Sequence, residues 1–135
     1  MDQAIETEYG CDSNCNRIRF QHDVSFTLAV LLMFVLTIDQ KGSRSGRDRV
    51  PDLLELLGGL PMDLPFERSV GDEVQGLTAD ADTAVEAALL ALRDGQWSVG
   101  IGVGEVDTPL PASTREASGP AFVAARDAVE RAKKT

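Results

Sequence analysis

The feature that most restricts this chain is an apolar run that ends abruptly on an acid. From Val30 to Ile38 only Thr37 interrupts a series of aliphatic and aromatic residues, and Asp39 closes it. β-formers dominate its second half. A continuous apolar run of this kind predicts a central strand buried on both faces, with Asp39 at its C-terminal end. Extended back to Phe26, the run is still shorter than the ~20 residues that a membrane-spanning helix needs. It is not placed or flanked as a signal peptide would be. No membrane association is expected, and the cytoplasm is the expected compartment.

The rest of the chain punctuates itself. The segment KGSRSGRDR at 41–49 reads as a polar loop. Val50, Leu53, Leu54, Leu56 and Leu57 form a helical stripe, with Asp48 or Asp52 as its cap and Gly58-Gly59 as its stop. In FERSVGDEVQGL, alternation around Phe66, Arg68 and Val70, then Gly71-Asp72, predicts a hairpin that returns through Val74–Leu77. Asp80 or Asp82 opens a second helix that runs to Arg93. WSVGIGVGEV alternates Trp97, Val99, Ile101 and Val103 with Ser98, Gly100, Gly102 and Gly104. That is a strand with one bare face, on which another element must press closely. A Pro/Ser/Thr loop and an amphipathic helix from about Pro120 to Lys133 finish the chain. The order strand, helix, strand, strand, helix, strand, helix predicts an α+β fold. Its first six elements fit a ferredoxin-like or palm βαββαβ core with an antiparallel sheet, followed by an additional C-terminal helix.

With 135 residues there is room for one core. Residues 1–25 offer no apolar periodicity and are read as a poorly ordered extension, and 26–135 as the domain. Met33 opens a segment that reads as a natural start. Aromatic residues make up only 5%, so aliphatic residues must build the core. The net charge of −9 argues against direct nucleic-acid binding. Cys11, Cys15 and His22 lack a fourth zinc ligand unless Asp12 or Asp23 supplies it, and free thiols in a reducing compartment are the preferred reading.

The candidate chemistry sits at one sheet edge. Asp39 ends the first strand and Asp72, with Glu73, lies at the hairpin turn. A βαββαβ sheet brings those positions together, and a Mg²⁺ ion would relieve the repulsion between Asp39 and Asp72. Glu73 is expected to point the other way. Lys41, Gly42 and Ser43, with Arg44, offer a phosphate cradle in the following loop. The glycines of the last strand do not sit between a strand and a helix, so they are not a dinucleotide fingerprint. No serine has a histidine base outside the N-terminal stretch. The basic end at Arg131, Lys133 and Lys134 reads as favourable charge at a helix C-terminus.

Asp39 followed by Gly42-Ser43, GDEVQG from Gly71, WSVGIGVGEV from Trp97 and GPAFVAARDAVERAK from Gly119 occur in an order that resembles the SatD family, over Met33 to Lys134. That family in turn resembles class III nucleotidyl cyclases and GGDEF palm domains. The resemblance implies metal-binding aspartates at Asp39 and Asp72. It also places family positions on Arg68 and Arg126, which join Lys41, Gly42 and Ser43 as the expected phosphate- or nucleotide-binding residues. Phe122 stands where cyclases place an asparagine, Arg68 where they place a base-reading lysine, and Val70 where GGDEF domains have a second glycine. The catalytic residues are therefore unassigned, and enzymatic activity is left open. A catalytically silent regulatory or nucleotide-binding module is the expected function, and a Mg²⁺-dependent nucleotidyl or phosphoryl transferase is the alternative. Cyclase-like palms pair, which implies a homodimer. SatD-like chains continue into a helix-turn-helix segment, so a shortened form without independent activity is a third reading.

Overall fold

The computed structural model describes residues 5–10 through their backbone, and residues 32–42 and 46–135 in full. In chain order the elements are β1 (Ile5–Gly10), β2 (Met33–Gln40), α1 (Val50–Leu57), β3 (Leu64–Arg68), β4 (Glu73–Thr78), α2 (Ala81–Asp94), β5 (Trp97–Gly104), a 3-10 turn (Thr114–Glu116) and α3 (Pro120–Ala132). The five strands form one sheet in the order β1-β5-β2-β4-β3. Four of them make an antiparallel core, and β1 adds to its edge in parallel with β5, Ile5 opposite Val99.

That edge strand corrects the reading of residues 1–25 as an extension without strand character. Its sequence, IETEYG, alternates β-forming and acidic residues over too few positions to stand out. The central strand begins at Met33, and the apolar residues 26–31 that precede it lie outside the described residues, as do Cys11, Asp12, Cys15, His22 and Asp23. Among the described residues no helix is long and apolar enough to cross a membrane.

Local chemistry accounts for the helix ends. Asp80 caps α2 by accepting the Thr83 N–H at 3.0 Å, and Gly95 ends it in the left-handed region at φ +82°. Pro51 opens α1, where its missing N–H costs nothing. Gly71 takes φ +55° at the β3–β4 turn, as the dipeptide Gly-Asp predicts.

The sheet is covered on both faces. On one, Leu36, Ile38, Val74, Trp97, Val99 and Ile101 pack beneath α1 and α2, against Leu53, Leu57, Ala84 and Ala88. On the other, Met33, Val35 and Leu77 meet α3 through Ala121, Phe122 and Ala125. The glycines of β5 explain the position of α3. A Cβ added at Gly100 would lie 2.3 Å from the backbone nitrogen of Val129, and one at Gly102 would lie 2.3 Å from the carbonyl oxygen of Ala121. The C-terminal helix is therefore the element that presses on the bare face of β5. Gly76 is bare for another reason: the Phe66 ring lies where its Cβ would be, at 2.6 Å.

Candidate functional site

The strand register decides which acids meet. Asp39 stands opposite Glu73 on β4 and Ser98 on β5. Residues directly opposite in an antiparallel pair share a face. Asp39 and Glu73 therefore both point to the α3 side, which corrects the expectation that Glu73 points away. Asp72 lies one residue earlier, in the turn. Its charge still reaches Asp39, so the three carboxylates occupy one end of the sheet.

Two of these carboxylates are largely buried, with side chains 12% exposed, and each meets a basic side chain from α3. Lys133 Nζ lies 3.0 Å from Asp39 Oδ2. Arg126 Nη2 lies 3.1 Å from Glu73 Oε1, which also accepts the Ser69 hydroxyl at 2.5 Å. Burial raises the Asp39 pKa above its ordinary value, and the charges of Asp72 and Glu73 push it the same way. The Lys133 hydrogen bond and charge pull it back only in part. Lys133 is raised in turn, chiefly by its hydrogen bond to Asp39. Deeper along the same face, Gln75 donates to the Thr37 hydroxyl at 3.1 Å.

Around the expected phosphate cradle, the described residues make contacts within the fold. Gln40 is buried and clips the loop after β2 at two points. Its amide donates to the Arg47 carbonyl at 2.8 Å, and its carbonyl accepts the Arg49 N–H at 2.9 Å. The backbone N–H of Lys41 donates to the Gln96 carbonyl at 2.8 Å, while its side chain is exposed. Gly42 sits at φ +64°, and Ser43 and Arg44 lie outside the described residues. Arg68 holds the Gly71 carbonyl at 2.7 Å and the Asp48 carboxylate at 2.6 Å. That contact, with the Val50 N–H, keeps Asp48 below the usual carboxylate range. Arg68 thus ties the hairpin turn to the start of α1, and the guanidinium expected to read a base is spent on two internal partners.

Lys133, Gln40 and Ser69 are the residues that sequence reasoning missed. In the sequence Lys133 is one of several basic residues at a helix end. Among the described residues no group of three or more His, Cys, Asp or Glu side chains is arranged to hold a metal ion.

Arg126 also lines a groove of about 380 Å³ between the β3–β4 hairpin, the 3-10 turn and the first turns of α3. Val70, Arg115, Ser118, Phe122 and Val123 complete the part of its wall that matters chemically. No family model, curated protein or solved structure matches this chain.

Proposed function

We propose that this domain is a ferredoxin-like palm module of the SatD type that binds a small ligand, with a nucleotide the first candidate, and catalyses no reaction itself. The core strand order β5-β2-β4-β3, antiparallel throughout and interleaved with α1 and α2, supports the ferredoxin-like part of this reading. The observation that carries the silent part is the pairing of Asp39 with Lys133. A palm-type transferase needs carboxylates open to a shared Mg²⁺. Here a buried carboxylate already faces an ammonium group at 3.0 Å, and its neighbour Glu73 faces a guanidinium. In this arrangement the two carboxylates are faced by Lys133 and Arg126.

A Mg²⁺-dependent nucleotidyl or phosphoryl transferase is the second reading. One observation favours it: Asp72 and Glu73 both act on Asp39, so three acids lie within electrostatic reach, and Lys133 is 43% exposed on the end of a helix. The test is a thermal-shift panel of nucleotides with and without Mg²⁺ or Mn²⁺, run beside a turnover assay. The silent module shows a saturable rise in Tm that does not depend on the metal, and no product. A ligand at 100 times its Kd adds about 2.7 kcal/mol of stability. Metal-dependent product formation that is lost in Asp39→Asn overturns the silent reading in favour of the transferase.

A further inference from the structure

We infer that the ligand site is the groove bounded by the β3–β4 hairpin, the 3-10 turn and α3, and that it takes a small organic anion with an apolar body, its charged end on Arg115. The inference rests on the reading of the domain as a binding module and goes further by placing and typing the ligand.

Charge is the first argument. The chain carries a net −9, yet among the described residues no carboxylate residue lines this groove and two arginines do. Arg115 is exposed on the 3-10 turn, and its guanidinium makes no ion pair among the described residues. Arg126 is partly committed to Glu73, at 3.1 and 3.4 Å. The lining hydroxyls have already placed their protons: Ser69 donates to Glu73 and Ser118 donates to Asp107 at 2.7 Å. The charged donors left for an incoming anion are guanidinium groups, which suit the planar or trigonal oxygens of a carboxylate or phosphate.

Shape and polarity supply the second argument. Val70 and Val123 are 69% and 63% exposed, the two highest values among the exposed large hydrophobics, and both belong to this groove with Phe122. A volume of about 380 Å³ falls in the range of small-molecule sites and exceeds what a bare inorganic anion fills. Apolar rims beside a guanidinium select a ligand that is charged at one end and apolar along its body. Arg68, by contrast, is already bound to Gly71 and Asp48.

The experiment is an amide-NMR titration of the full chain with phenyl phosphate, benzoate, inorganic phosphate and benzyl alcohol. The first two carry both halves of the expected ligand and the last two carry one half each. Phenyl phosphate or benzoate should saturate and shift Ser69, Val70, Arg115 and Val123, with the half-ligands weaker by about tenfold or more. Arg115→Gln should weaken the better probe by about tenfold or more while the spectrum stays folded. Lys41→Gln should leave its Kd unchanged. Unsaturable shifts, an unchanged Kd in Arg115→Gln, or shifts centred on Lys41, Gly42 and Arg68 would each overturn the groove as the site. The underlying reading fails separately. A nucleotide that saturates at residues 41–49 keeps a binding module and overturns the groove. Saturation in the groove alongside Mg²⁺-dependent turnover keeps the groove and overturns catalytic silence.

Discussion

Leu36, Ile38, Val74 and Val99 meet α1 and α2 through side chains, and the contact is made of volume. Across the sheet, α3 rests on Gly100 and Gly102 at backbone distance and presents the backbone of Ala121, Ala125 and Val129 to them. A side-chain interface can relax when it loses a group. A backbone contact has no spare space when it gains one. The difference also decides where charge can live. Towards the end of the strands the α3 face gives way to Asp39 and Glu73 with Lys133 and Arg126, whereas the α1/α2 face stays apolar and is closed by the Gln40 clip.

The largest expected effect tests that contrast directly. Gly102→Val places atoms where the backbone of Ala121 and Ala125 lies, so it should cost about 3 kcal/mol or more in urea unfolding. Leu36→Ala, on the other face, should cost about 2–5 kcal/mol by leaving a cavity. Hydrogen exchange separates the two. Gly102→Val should strip protection from α3 first and leave α1 and α2 protected, and a uniform loss would mean that the faces are not independent.

The next effect is smaller and depends on pH. Lys133→Met should cost about 1–2 kcal/mol at neutral pH, because it leaves a buried carboxylate without its cation. Asp39 has a folded pKa raised above 3.8, so its share of stability is present at low pH and is lost as pH rises through the folded value. Without Lys133 that loss should steepen. Wild type and variant should therefore converge as pH falls and Asp39 takes up its proton. Curves that stay parallel from acid to neutral pH would remove Asp39 from the account.

The smallest effect is a control. Gly59 has nothing within 4 Å of an added Cβ, so Gly59→Ala should change stability by less than about 0.5 kcal/mol. A large loss there would show that glycine chemistry in general, rather than close approach, governs the β5 result.

Much of this architecture can be read from residues alone, because its signals are local. Asp80 before an apolar stripe, Gly95 after it, and the bare alternate positions of β5 each act within a few residues. What stayed hidden depends on partners distant in sequence. The register of β4 against β2 decides which face carries Glu73, and one residue of slip reverses the answer. Lys133 looks like any basic residue at a helix end until the fold carries it to Asp39. The edge strand β1 needed β5 as its template, and six residues of weak alternation do not announce one.

A glycine strip has no pegs. Where side chains interdigitate, a helix is fixed lengthwise by the teeth it engages, but Gly100 and Gly102 give α3 few of these along its axis. Beside the Phe122 packing and the Arg126–Glu73 pair, its ends also hold its axial position. At the start, the Ala121 N–H reaches the Glu105 carbonyl at 3.0 Å, and the Asp107 N–H reaches the Ser118 carbonyl at 2.9 Å. At the finish, Lys133 reaches Asp39. The ion pair therefore works as an end-stop against sliding, and because Asp39 can take up a proton, acid loosens that stop. The groove beside the first half of α3, with Phe122, Val123 and Arg126 in its wall, takes its width from where the same helix comes to rest.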